Sequence, residues 1–303
     1  MSIRTYVGRG LMVAAVLAGT TLGTGTTAQA AEPSVTVQAG RLVLEPGERG
    51  YRGLLPITIT YQGDEPTGAN LEFEEPVAGS FVTVLPSEAC MSGPSETGRL
   101  DVSCSVAELQ PGETRRVRLE FQVLTAPRGH AMRAADTTLE VSLQSDPAVR
   151  ATAAARTLFR STTGSLSKPQ PYTQDTRSDL SVTAGDATLT PQPDGGFAGR
   201  VPVTVHWAGD APHYDLDARF ALPAGFTWTG TDPSAPCGES CPLPGGTYMQ
   251  GESRTFDLLV SAEPGIAPGA TGTGSTTVSA QWFGSLDDVD PSDNTAEFTL
   301  TVG

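Results

Sequence analysis

The chain has 303 residues, 19 basic and 34 acidic, with a single lysine, Lys168, and an isoelectric point near 4.5. An excess of acid with no Lys/Arg cluster excludes nucleic-acid binding, which rests on neutralising phosphates with grouped cations. It equally excludes adsorption to an anionic membrane surface.

Residues 1–30 carry Arg4 and Arg9, an apolar stretch from Leu11 to Ala18, and a small-residue end at Ala28-Gln29-Ala30. This three-part layout predicts a secretory signal peptide cut after Ala30. The apolar stretch is too short for a transmembrane helix, which needs about 20 apolar residues. The mature chain is expected to be secreted, extracellular and released, since no cysteine precedes Cys90 to take a lipid.

Gly53-Leu54-Leu55-Pro56-Ile57-Thr58-Ile59-Thr60-Tyr61-Gln62-Gly63-Asp64-Glu65-Pro66 aligns without a gap, at an offset of 146 residues, with Gly199-Arg200-Val201-Pro202-Val203-Thr204-Val205-His206-Trp207-Ala208-Gly209-Asp210-Ala211-Pro212. Six of the fourteen positions are identical, and the offset is a whole domain rather than a solenoid repeat. Within each copy apolar and polar residues alternate, Leu55/Ile57/Ile59/Tyr61 and Val201/Val203/Val205/Trp207, which puts the apolar set on one face of a strand. The same period of two recurs at 117–123, 139–143, 278–282 and 298–302, separated by Gly/Pro/Asp/Asn turn clusters. The Ala-rich run 148–156 has no amphipathic helical stripe and is read as a further strand. These elements predict an all-β chain of two tandem immunoglobulin-like antiparallel β-sandwich domains, 33–160 and 178–303, joined by a Ser/Gly/Pro linker at 161–177.

Four cysteines in an exported chain imply disulfides, and four admit three pairings. The repeat favours one bridge per copy, Cys90 with Cys104 and Cys237 with Cys241, each closing the same inter-strand loop, long in the first copy and short in the second. A zinc site at Cys237 and Cys241 lacks the further ligands such a site needs.

No G-x-S-x-G elbow occurs, and His206 and His213 carry no surrounding triad pattern. Carboxylate pairs from Glu72, Glu74 and Glu75, or from Asp215 and Asp217, share the spacing of any solvated strand face. Asp287, Asp288, Asp290 and Asp293 form an acidic loop with hard-oxygen ligands for Ca²⁺ but without EF-hand spacing; the competing reading is an Asx turn. No other cofactor is indicated. All three tryptophans, Trp207, Trp228 and Trp282, fall in the second copy; Trp207 is placed in the core, while Trp228, Trp282 and Phe283 offer an aromatic platform for a ligand.

The segment Asp290-Pro291-Ser292-Asp293-Asn294-Thr295-Ala296, with the strand that follows it and the opening Ser178-Asp179-Leu180-Ser181-Val182, resembles bacterial conserved-repeat, CARDB-like immunoglobulin-type domains. The resemblance covers the second copy, whereas the first keeps only Ser145-Asp146-Pro147 of the terminal loop. It implies an extracellular sandwich used in spacing, adhesion or association, and it offers no catalytic residues. The residues thus lead to a secreted, non-enzymatic interaction or structural module with an unknown protein or cell-surface glycan as partner. The alternatives are a carbohydrate- or cell-wall-binding module and, third, a secreted hydrolase.

Overall fold

The two copies of the repeated segment are the central strands of the molecule, Gly50–Gln62 and Phe197–Trp207. The computed structural model describes residues 32–237 and 240–303, so the expected signal segment lies outside the described residues. Every described regular element is a strand.

In the first copy, one sheet runs Gln170–Pro171, Met132–Arg133, Thr157–Phe159, Leu42–Gly47, Gly50–Gln62, Thr114–Val123 and Phe81–Leu85, with Ser34–Ala39 also paired to Gly50–Gln62. The facing sheet runs Arg150–Ala155, Thr137–Leu143, Thr67–Glu74, Leu100–Leu109 and Cys90–Pro94. Tyr51, Leu55, Ile57, Ile59 and Leu119 from the first sheet meet Leu71, Val141 and Leu139 from the second in one buried cluster. In the second copy the order is Phe226–Asp232, Glu252–Ala262, Phe197–Trp207, Ala187–Pro191, Thr295–Val302, Thr271–Gln281, Asp215–Ala221 and Cys241–Pro242, with Leu180–Ala184 paired to Phe197–Trp207. A second cluster, built on Val201, Val203, Val205, Trp207, Leu258 and Leu300, fills it. These are two tandem immunoglobulin-like sandwiches.

The identical prolines of the repeat mark the point where the opening strand breaks its pairing with the central strand. Ser34–Ala39 pairs with Gly50–Gln62 as far as Ala39–Ile57, and Leu42–Gly47 resumes only at Glu45–Arg52 while its first half runs parallel to Thr157–Phe159. Leu180–Ala184 stops at Ala184–Val203, and Ala187–Pro191 then runs parallel to Thr295–Val302 before rejoining Phe197–Trp207. Pro56 and Pro202 sit at these breaks, so their missing N–H groups face a gap in the ladder, the one place where a proline fits a central strand. Their carbonyls accept the Gly40 and Gly185 amides, both at 2.8 Å. A Cβ at either glycine would lie 2.6 Å or 2.8 Å from the proline ring Cγ, so the Gly/Pro pair is a close-approach device built twice. The peptide bonds Leu85–Pro86 and Asp232–Pro233 are both cis, again at matching positions.

A second duplicated device closes the next hairpin. Glu113 accepts the Gln110 amide at 2.8 Å and Arg115 Nε at 2.9 Å, while Arg115 reaches the Ala107 and Glu108 carbonyls. Glu252 accepts the Met249 amide at 2.8 Å and Arg254 Nε at 2.7 Å, while Arg254 reaches the Gly246 and Thr247 carbonyls. The Ala-rich run folds as expected into Arg150–Ala155 and, past Arg156, the last strand crosses to the other sheet as Thr157–Phe159.

Both disulfides pair as the repeat predicts, Cys90 with Cys104 and Cys237 with Cys241. Cys104 pairs in register with both Cys90 and Leu71, and Cys241 faces Ala218. The difference in loop length has a structural form: in the first copy the residues between the cysteines fold back as the Cys90–Pro94 strand against Leu100–Leu109.

Candidate functional site at the junction of the sandwiches

The segment expected as a linker is pinned along its course. Gln170–Pro171 runs parallel to Met132–Arg133, and the Tyr172 amide donates to the Arg133 carbonyl at 2.8 Å. The Tyr172 ring tilts against Phe159 with centroids 4.8 Å apart, and its hydroxyl donates to Asp210 Oδ2 at 2.9 Å. Burial first, and the Asp210 charge second, push the Tyr172 phenol far above its ordinary range, so it acts as a fixed donor. Gln174 Nε2 donates to the carbonyls of Ala78 and Asp210, both at 3.0 Å, tying the two copies through one amide. Asp175 and Asp210 exchange bonds, the Asp175 amide to Asp210 Oδ1 at 2.9 Å and the Asp210 amide to Asp175 Oδ2 at 3.1 Å. Partial burial, then the nearby Asp210 charge, raise the Asp175 carboxyl.

The second sandwich inserts two further side chains into the first. The Gln250 amide donates to the Leu124 carbonyl at 2.8 Å, and its Oε1 accepts from Thr125 Oγ1, the Ala126 amide and Arg128 Nη2 at 3.0–3.2 Å. Trp282, 8 % exposed, joins the core cluster of the first sandwich, and its Nε1 donates to the Gly98 carbonyl at 2.9 Å. Arg49 adds a bond to the Thr247 carbonyl at 2.7 Å and a long contact to Glu252.

Between these pins lies a cavity of about 390 Å³ lined chiefly by Pro76, Val77, Ala134, Tyr172, Trp282 and Leu286. A neighbouring one of about 330 Å³ reaches from Phe81 and Val82 to Asp210 and His213. The one carboxylate nearby that is wholly buried, Glu75, is saturated: Oε1 accepts the amides of Gly79 and Leu100, and Oε2 those of Ser80 and Phe81, all within 2.7–3.0 Å. Burial raises its carboxyl and the four amides oppose the rise without cancelling it. Glu75 is a loop organiser for the turn that touches Trp282.

The other expected site residues are distributed. Trp228 is half-buried beside Phe220 on the edge strand Phe226–Asp232, above a groove of about 350 Å³ that includes Cys241. Trp282 does not offer the exposed face expected of it, because the first sandwich covers its ring. Phe283 is exposed at 42 % and touches Tyr214, exposed at 43 %, with centroids 5.6 Å apart. Tyr214 belongs to this cluster and was invisible in the sequence, since only the fold brings it against Trp282.

The acidic loop adopts the Asx-turn arrangement. Asp288, buried, accepts Ser178 Oγ at 2.7 Å, the Leu180 amide at 3.1 Å and the Asp290 amide at 2.9 Å; Asp290 accepts the Ser292 amide and hydroxyl. Among the described residues no three His, Cys, Asp or Glu side chains converge as a metal-ligand group, so Asp287, Asp288, Asp290 and Asp293 are not gathered into one. Glu72 and Glu74 point outward, Glu74 being engaged by Arg99 and Ser95, and Asp215 and Asp217 lie at one end of their strand. His206 bonds Ser253 Oγ at 2.8 Å. His213 is buried against Trp207, with Nδ1 at 3.3 Å from the Ala211 carbonyl and Nε2 accepting the Tyr248 amide at 2.9 Å. This geometry requires a neutral ring, and burial accordingly lowers its pKa.

Among the described residues, no helix is long and apolar enough to cross a membrane. No family model matches the chain, and no curated protein does. Solved structures similar to it include a Porphyromonas gingivalis W83 protein of unknown function (11 % identity, 88 % of this chain and 99 % of that one, TM-score 0.24). The CupB6 tip adhesin of Pseudomonas aeruginosa gives 8 % identity over 90 % and 98 %, with a TM-score of 0.31, and the E. coli chaperone DraB 13 % over 89 % and 97 %, with a TM-score of 0.26. None of these likenesses carries a partner or a site to this chain.

Proposed function

We propose that the protein is an exported, non-enzymatic interaction or structural module whose two sandwiches act as one rigid body. The observation that carries this reading is the junction: Gln174, in the joining segment, donates to a backbone carbonyl of each copy, and Gln250 and Trp282 of the second copy bond backbone groups of the first. Polar side chains engaged in this way fix the geometry between the copies, which suits a structural role. Two disulfides support folding in an oxidising compartment, in keeping with the signal-like start. The CARDB-like ending fits a structural role, because its Asp290-Pro291-Ser292 turn is spent on holding the loop.

The test is a broad hydrolase panel on the purified chain together with small-angle scattering. The reading requires no turnover and a single rigid particle. Turnover that disappears in Asp175→Asn or Glu75→Gln would overturn it.

A second reading, glycan binding, is favoured by one observation, the adjacent exposed rings of Tyr214 and Phe283. Glycan-array binding lost in Phe283→Ala would support it, and an array with no binding would remove it.

A further inference from the structure

The first sandwich holds 12 of the 17 basic residues that follow residue 30, and they are unevenly placed on it. On the outer face of one sheet, Arg116 and Arg118 are exposed, paired in register with Thr58 and Pro56, and neither has an ion-pair partner among the described residues. They border a groove of about 610 Å³ with Pro56, Leu85 and Pro86. The only acid beside them on the neighbouring strand positions, Glu120, is bound to Arg52.

The outer face of the opposite sheet has the reverse character. Glu140 stands directly opposite Glu72, and Glu74 directly opposite Asp101. Like charges in directly opposed positions destabilise a sheet. Arg150 relieves Glu140 and Arg99 relieves Glu74, yet Glu72 and Asp101 have no ion-pair partner among the described residues. They line a groove of about 550 Å³ with Met91, which is 78 % exposed on the neighbouring edge strand. The two faces lie back to back across one sandwich core.

We propose that these faces bind each other between copies, Arg116 and Arg118 of one molecule docking against Glu72 and Asp101 of the next, with Met91 at the apolar centre of the contact. The inference rests on the interaction-module reading and names a second copy of this chain as the partner. Charge complementarity selects that occupant: each face supplies the counter-charges that the other lacks. A contact between two different patches does not close on itself as an isologous dimer does, so back-to-back faces generate an open, head-to-tail series.

The sign of the salt effect separates this contact from non-specific behaviour. A net acidic chain repels its own copies, and salt screens that repulsion, so general colloidal association would grow with salt. Complementary faces give the opposite trend.

Sedimentation velocity of the purified chain over a concentration series at ~20 mM and ~500 mM NaCl tests the proposal. We expect a weight-average mass at low salt at least about twice that at high salt and still rising with concentration. Arg116→Glu/Arg118→Glu and Glu72→Lys/Asp101→Lys should each be monomeric at both salts with unchanged melting temperature, and a mixture of the two should associate again. A monomer at both salts, association untouched by either double variant, or a polyanion bound through Arg116 and Arg118 while the chain stays monomeric would each overturn it. A monomer with no turnover and a rigid particle would sink the self-docking while leaving the interaction-module reading intact.

Discussion

The indole nitrogen of Trp282 donates to the carbonyl of Gly98 at 2.9 Å, joining residues 184 positions apart and on different sandwiches. The ring fills a place in the first core that Val77 and Leu286 help to bound. Trp282→Phe, which keeps an aromatic ring and removes the donor, should cost about 1 kcal/mol, and Trp282→Ala about 3–5 kcal/mol, measured by urea unfolding. Equal losses for the two substitutions would mean that the hydrogen bond, rather than ring burial, holds the contact.

Glu75→Gln is nearly isosteric but replaces one accepting oxygen with an N–H₂ group facing two backbone amides. Two buried donors would be orphaned, for a loss of about 3 kcal/mol. Hydrogen exchange should show the Gly79, Ser80, Phe81 and Leu100 amides losing protection first. Unchanged stability would show that the loop does not depend on the carboxylate.

His213 supplies a pH test whose sign is fixed. Its folded pKa is lowered by burial, so below the unfolded value of about 6.5 the unfolded chain takes up a proton that the folded chain refuses. Stability should therefore fall as pH drops through about 6.5, and the Tyr248 amide would lose its acceptor once the ring charges. In His213→Gln that part of the pH profile should flatten, read as the difference between the two chemical-denaturation curves from pH 7.5 to 5. A parallel pair of curves would remove His213 as the cause.

The disulfides are unequal in the chain they close. Cys90 and Cys104 are 14 positions apart and Cys237 and Cys241 four, which in the chain-entropy model gives about 3 and about 2 kcal/mol. Cys90→Ser/Cys104→Ser should also free the Cys90–Pro94 edge strand, seen as faster exchange at Met91 to Gly93. Greater damage from Cys237→Ser/Cys241→Ser would contradict this order.

The strands, the duplication and the cysteine pairing were legible because each leaves a short-range pattern: Ile57 and Ile59 alternate with Thr58 and Thr60, and Pro56 matches Pro202. The reason for that match was not legible, since it lies in the break between Ser34–Ala39 and Leu42–Gly47, a relation between distant segments. The junction was hidden for the same cause. Gln250 reads as a turn residue and Gln174 as linker polarity, and only the fold brings their amides onto Leu124, Ala126 and Ala78. Trp282 and Phe283 are adjacent in the sequence, and nothing local distinguishes the covered ring from the exposed one. Asp288 makes the Asx-turn bond that the local sequence offers as one of two readings, while its bond to Ser178 joins segments 110 positions apart and is legible only in the fold.

Scanning calorimetry of the whole chain beside Trp282→Ala/Gln250→Ala tests most directly whether the junction makes two sandwiches one body. The chain should unfold in a single transition with equal calorimetric and van't Hoff enthalpies, and the double variant should separate into two transitions. Two resolved transitions in the unaltered chain would contradict the account.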